Sequence, residues 1–346
     1  MRLHHAGGSA WTALGFAALL LGAPVTEATA ADTRVRLSLD RSIEGPAAPF
    51  LLALDRGYFQ AEGLIVGIDA GANSLEAITR VASGLHEMAV ADINTLIRFH
   101  DANPKAPVKA VFILHDRPAY AIVARRSRGI GAPRDLEGKR LGAPSADSAF
   151  AQWSIFAKAN GIDPGKVVID NVGAAVREPM LAAGQVDAIT GLTYEAYLNL
   201  KDRGVPAADL VALRMADYGV ELYGLAIIVN TTFAAEEPEA VRGFLRAFVK
   251  GLEQTVKSPA IAIDSVLRRN DGLRKELELE RLNLVIRENI MTPEVKKNGF
   301  GAIDPAHFAR AIEQTAIAYR FKEDRPAVED IFDTSYLPPL ETRKPR

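Results

Sequence analysis

The chain has 346 residues, 48% of them hydrophobic and 24% charged, with 41 basic against 43 acidic side chains and no cysteine. A folded globular protein of about two domains, each with a sizeable core, has this composition. A net charge of −2 supplies no basic stripe for nucleic acid, and the missing cysteines exclude disulfides, thiolate zinc sites, iron–sulfur clusters, cysteine nucleophiles and thioester lipid anchors.

Residues 1–30 read as a secretory signal. Arg2, His4 and His5 make a weakly basic start, Ala13 to Ala23 is an uncharged apolar run, and Ala28 and Ala30 are small residues that fit cleavage after Ala30. The apolar run, about 11 residues, is well short of the roughly 20 that span a bilayer. With no cysteine to carry a lipid, the expected product is exported, untethered and not embedded in a membrane, and a monomer is expected. Asn230-Thr231-Thr232 matches a glycosylation sequon but reads better as a strand-to-helix turn.

The predicted strands are Val35–Leu39, Ile65–Asp69, Met88–Ala91, Lys109–Leu114, Tyr120–Arg125, Lys139–Gly142, Val167–Asn171, Asp187–Thr190, Leu210–Arg214 and Leu222–Val229. Helical stretches lie between them at Ala47–Arg56, Leu75–Ser83, Ser148–Asn160, Ala174–Ala183 and Glu195–Arg203. Alternation of this kind predicts βαβ units, an α/β fold and mostly parallel sheets. After Val229 the pattern turns almost entirely helical. Pro238 suits a first turn, and Val241, Phe244, Leu245, Phe248, Leu252 and Val256 repeat on one helical face. Further helices are predicted over Lys275–Ile290 and from the start pair Asp304-Pro305 to Tyr319. Residues 324–346, rich in proline and charge, are expected to pack as an irregular strap or stay loose. Breaks at 115–119 and 215–221 allow one lobe from residues 31–116 plus 222–323, with a second lobe, 117–221, inserted in it.

Catalytic signatures are mostly absent. Gly129-Ile130-Gly131 lacks the third glycine of a dinucleotide fingerprint, Gly138-Lys139 runs into Arg140, and Val90 stands where a zinc helix opened by His86-Glu87 needs its second histidine. His86, His100, His115 and His307 are scattered and read as surface or packing residues. The acidic residues show no spacing that singles out a general acid and base, and solvated faces account for them. Neither an enzyme, a metal nor a cofactor is expected.

Pro49 to Phe59 (PFLLALDRGYF) followed by Glu62-Gly63-Leu64 resembles a segment of the periplasmic solute-binding proteins of ABC importers. That group includes binders of taurine, alkanesulfonates, nitrate and thiamine-pyrimidine precursors. Gly71–Ser74, Gly84 with Asp92, Pro107–Lys109, Asp135–Gly142, Gly161–Asp163 and Leu181–Ala188 are similar to its later landmarks, in order, over residues 34–260. As residues these are structural first: glycines at helix ends, an aromatic plug at Tyr58-Phe59, a capped turn before a strand. The resemblance implies the two-lobed type II periplasmic binding fold, with each lobe a mostly parallel sheet flanked by helices and a ligand cleft between them.

Open parallel sheets bind ligands beyond the carboxyl ends of their strands. Applied here, that rule selects Glu44, Asn73, Ser74, Asp92 and Asn94 in the first lobe, then Ser145, Asp147, Ser148, Tyr194 and Glu195 in the second, with Tyr223 near the return crossing. Helix capping alone also accounts for Ser74, Asp92 and Asp147. A sulfonate needs donors, and the three serines supply hydroxyls. Glu44, Asp92, Asp147 and Glu195 nevertheless favour a flat ligand with N–H donors, such as an aminopyrimidine stacked on Tyr194 or Tyr223. Arg177–Leu181 and Asp217–Gly224 also look more like the pyrimidine-precursor branch. Fungal thiamine-pyrimidine synthases share the fold but carry a cysteine-rich motif and work inside the cell. The resemblance thus implies a small-molecule carrier that closes on its ligand and docks on an ABC-transporter permease and its ATPase. Sulfonate, taurine or nitrate binding, or a sensing module without transport, are the alternatives.

Overall fold

The computed structural model describes Gly7 and residues 32–145, 147–321 and 325–345. Of the expected signal segment, residues 1–30, only Gly7 falls among them. Asp32–Arg346 pack as one compact unit.

Ten strands form: β1 (Thr33–Ser38), β2 (Leu64–Asp69), β3 (Met88–Asp92), β4 (Val108–Ile113), β5 (Tyr120–Arg125), β6 (Arg140–Ala143), β7 (Val168–Asn171), β8 (Ala188–Leu192), β9 (Leu210–Arg214) and β10 (Leu225–Asn230). Each coincides with a predicted strand, and the largest shift at an end is Leu222 expected against Leu225 observed. They build two five-stranded sheets, ordered β2-β1-β3-β10-β4 and β7-β6-β8-β5-β9. Strands such as β3 and β10 are buried at every position, because apolar layers cover both faces.

The expectation of mostly parallel sheets holds for half of each. β1 runs parallel to β2 and β3, and β6 runs parallel to β7 and β8. β10 is antiparallel to β3 and β4, as β5 is to β8 and β9. The reason is directional. β5 and β10 are the strands that have just crossed from the other sheet, so each enters at the carboxyl end of its parallel neighbours and must run against them.

Helices fill the connections. A 3-10 turn, Gly45–Ala47, leads into α1 (Ala48–Asp55), followed by α2 (Ser74–Ala82), α3 (Ile93–Ala102), α4 (Ser148–Ala151), α5 (Trp153–Ala159) and α6 (Arg177–Ala182). A π-helical turn, Thr193–Tyr197, then runs into α7 (Leu198–Asp202). Beyond β10 come α8 (Thr231–Glu236), α9 (Pro238–Lys257), α10 (Pro259–Leu267), α11 (Lys275–Val285), α12 (Pro293–Asn298) and α13 (Pro305–Tyr319). The Asn230 side chain accepts from the amides of Thr232 (2.9 Å) and Phe233 (3.2 Å), so it caps α8 as the turn expected there. α9 lays its predicted apolar face on α1 and the turn that follows it: Phe248 stacks on Phe50 at 4.3 Å between centroids, and Phe244 on Phe59 at 4.8 Å.

The terminal segment packs as a strap. It adds α14 (Val328–Ile331) and α15 (Leu340–Arg343). Phe332 bridges Ala110 of β4, and the Arg343 guanidinium donates to the carbonyls of Asn298 (2.7 Å) and Phe300 (3.1 Å).

Candidate functional site

The carboxyl end of β1 carries the chain into Leu39, Asp40 and Arg41. The Leu39 amide donates to the Asp69 carbonyl at 2.8 Å, and the Gly71 amide donates to the Arg41 carbonyl at 3.1 Å. A Cβ on Gly71 would stand 2.0 Å from the Leu39 oxygen, so only glycine lets these two strand-end loops touch. Asp40 is buried. It receives Arg41 Nε at 3.2 Å and Nη2 at 2.7 Å as a two-pronged pair.

The other strand ends converge on the same place. Ser74 opens α2; its Oγ accepts from the Asp92 amide at 3.0 Å and donates weakly to Asp40 at 3.5 Å. Asp92 caps α3, accepting from the Thr95 amide at 2.9 Å, and also receives the Tyr120 hydroxyl. Burial raises its carboxyl above the usual range, against the pull of those hydrogen bonds. From the second sheet, Asp147 caps α4 and accepts from Thr190 Oγ1 at 2.5 Å, with Arg177 Nη1 at 3.6 Å. Burial raises this carboxyl too. The π-helical turn after β8 presents Tyr194 and Glu195. Glu195 pairs with Arg41 on one side and with Arg177 Nη2, at 3.6 Å, on the other.

Arg41 therefore joins the two sheet ends. Its guanidinium lies over the Tyr194 ring, 5.6 Å from the centroid. Burial opposes its charge, but Asp40, Tyr194 and Glu195 more than compensate and hold its pKa well above the usual value. Two small cavities, about 40 and 20 Å³, share Arg41 as a wall. The first adds Ser74, Asp92, Tyr120, Ser148 and Tyr194, and the second adds Asp40 and Glu44. A cavity of about 460 Å³ lies at the opposite end of β4 and β10, between Lys105, Lys109 and Tyr336, and contains none of the strand-end residues.

α11 supports the site from outside. Its buried Arg281 donates to the Tyr194 carbonyl at 2.5 Å, pairs with the equally buried Glu278 at 3.2 Å and lies 3.8 Å from Glu44. Glu278 in turn accepts from the Gly45 amide at 2.7 Å. Burial raises the Glu44 carboxyl, and Arg281 partly offsets this.

The structure thus gathers Glu44, Ser74, Asp92, Asp147, Ser148, Tyr194 and Glu195. Asn73 is exposed and only caps α2, accepting from the Glu76 amide at 2.9 Å. Ser145 sits in an exposed turn. Asn94 is wholly buried in the framework, donating to the Tyr223 carbonyl at 2.7 Å and to Tyr120 at 3.1 Å. Tyr223 lines neither small cavity; its ring packs 4.3 Å from His307 and its hydroxyl donates to Glu294. Four participants escape the strand-end selection: Asp40, Arg41, Tyr120 and His115. His115 lines the larger of the two small cavities, and burial drives its imidazole pKa down to about 3, so it is neutral. Asp40-Arg41 follow β1 after a single residue, Leu39, and the rule that reached Glu44 reaches them as well.

Residues 46–262 match the family described as NMT1/THI5 like. A formylaminopyrimidine-binding protein of Halalkalibacterium halodurans is 28% identical over 82% of this chain and 84% of its own length. A riboflavin-binding protein, RibY, of Chloroflexus aurantiacus is 27% identical over 73% and 71%. A 4-amino-5-hydroxymethyl-2-methylpyrimidine phosphate synthase of Schizosaccharomyces pombe is 24% identical over 67% and 68%. Among solved structures, the periplasmic aliphatic sulphonate binding protein SsuA of Escherichia coli superposes with a TM-score of 0.69 at 13% identity, over 88% of this chain and 99% of that one. The fold is that of the periplasmic binding proteins, and the chain belongs to the NMT1/THI5-like family.

Proposed function

We propose that this protein is the solute-binding component of an ABC importer, which captures a flat, nitrogen-bearing molecule of the aminopyrimidine class in the periplasm and hands it to a membrane permease. One observation carries the ligand class: Asp40, Glu44, Asp92, Asp147 and Glu195 converge with the Tyr194 ring at the strand ends of both sheets. Carboxylates accept hydrogen bonds and donate none when ionised, so the site is built for N–H donors in a plane beside an aromatic face. The two arginines that would serve a sulfonate are already engaged by carboxylates. The formylaminopyrimidine-binding relative supports the same class.

In this reading the first sheet, with residues 222–323, forms one lobe, and residues 117–221 form the other. The ligand favours the closed arrangement because both lobes touch it. Carriage rather than synthesis is favoured because the synthases of this group carry a cysteine-rich motif and this sequence has no cysteine. No described helix is long and apolar enough to cross a membrane.

The test is a thermal-shift screen of residues 31–346 with aminopyrimidines, alkanesulfonates, taurine and nitrate. A micromolar dissociation constant corresponds to about −8 kcal/mol. Ligand at a hundredfold its dissociation constant stabilises by about 2.7 kcal/mol, a shift the screen resolves. Aminopyrimidines are expected to raise the melting temperature; stabilisation by sulfonates alone would replace this ligand class with the second.

A further inference from the structure

We propose that Arg41 is a built-in competitor of the ligand: its guanidinium fills the place between Asp40, Glu195 and the Tyr194 ring that the amidine edge of an aminopyrimidine takes on binding. The ligand named here rests on the function proposed above. The competition itself rests on three features of the cleft.

The first is chemical likeness. A guanidinium is a planar carbon bearing N–H donors, and the N=C–NH₂ edge of a 4-aminopyrimidine also sets its amino donor in the plane of a conjugated carbon. Arg41 uses its plane as such a ligand would. It makes a two-pronged pair with Asp40 at 3.2 and 2.7 Å, a further pair with Glu195, and lies over Tyr194 at 5.6 Å. The second is space. The cavities beside the guanidinium measure about 40 and 20 Å³, against roughly 300 Å³ or more for ordinary ligand pockets, so a ring enters only as the guanidinium leaves. The third is a route out. The Arg41 backbone is pinned, its carbonyl accepting from Gly71 at 3.1 Å, while 24% of the side chain is exposed and four rotatable bonds separate the head from the main chain.

An internal occupant sets a threshold. Only a molecule whose donors satisfy Asp40 and Glu195 better than arginine does can displace it, and the apparent affinity of every ligand falls by the fraction of chains in which Arg41 is seated. Anions cannot compete, because they offer acceptors to acceptors.

Calorimetry and thermal shift on the full chain with Arg41→Ala and Arg41→Lys test this, with methylguanidinium chloride and 4-amino-2-methylpyrimidine as probes and potassium chloride as control. Arg41→Ala is expected to bind methylguanidinium in the low millimolar range where the wild type does not, and to bind the pyrimidine at least tenfold more tightly than the wild type. Arg41→Lys keeps the charge but lacks the planar fork, so it falls between them and serves as the readout if the alanine variant does not fold. Weaker pyrimidine binding in both variants would overturn the proposal, making Arg41 a ligand contact; so would no response of Arg41→Ala to methylguanidinium. Methylguanidinium binding by Arg41→Ala with no pyrimidine binding by any variant would uphold the occupant and remove the aminopyrimidine class.

Discussion

Asp116, in the first crossing between the sheets, shows how far a single side chain can depart from its sequence. Thr292 donates to one of its oxygens, and the other has no partner among the described residues. Burial pushes its carboxyl up to about 7, against the Thr292 hydrogen bond and with the help of Glu294. The folded chain therefore keeps a proton that the unfolded chain has lost above about pH 4, and this group's contribution to stability declines as pH rises from about 4 to about 7. Asp116→Asn removes that decline. Its stability advantage over the wild type in urea unfolding is expected to be near zero at pH 4 and to reach a few kcal/mol at pH 8; a difference independent of pH would contradict it. Nothing local in the sequence marks Asp116 as buried, since its hydrogen-bond partner Thr292 lies 176 positions away. Arg41 was illegible in part for the same reason, its partner Glu195 lying 154 positions on.

At the scale of elements the sequence was more open, because periodicity is local. All the strands were legible. α3 was not, since Asp92 ends β3 and caps the helix at once and leaves no loop to mark the change. Nor did the periodicity of α11 reveal that Glu278 and Arg281 are buried, as a charged face normally reads as solvated. That helix makes two kinds of ion pair. The Glu278–Arg281 pair is sealed in, while Lys201–Glu280 is close to half exposed on both sides, at 42% and 45%. Arg281→Ala leaves an uncompensated buried charge and is expected to cost about 3–5 kcal/mol, whereas Lys201→Ala is expected to cost less than about 1 kcal/mol. Equal losses in denaturant unfolding would refute the distinction. On α9, Phe248→Ala opens a hole against Phe50 and Phe112 and is expected to cost about 3–5 kcal/mol by the same measurement.

For the whole molecule, sheet order was the part that no local pattern carried. Pairing directions depend on where the chain re-enters each sheet, and the parallel expectation erred at β5 and β10. β3 and β4 are not neighbours, since β10 stands between them and hydrogen-bonds to both. A fragment ending at residue 120 thus has four strands of the first sheet but no means of joining β4 to the other three, and circular dichroism is expected to show no cooperative melting where the full chain melts sharply. The same arrangement bears on biosynthesis. As the polypeptide leaves the ribosome, its first sheet stays unfinished until residue 230 has been made, two thirds of the way along the chain. A nascent polypeptide that cannot complete its earliest core remains threadable, and a translocation pore requires that of any cargo it passes in the unfolded state.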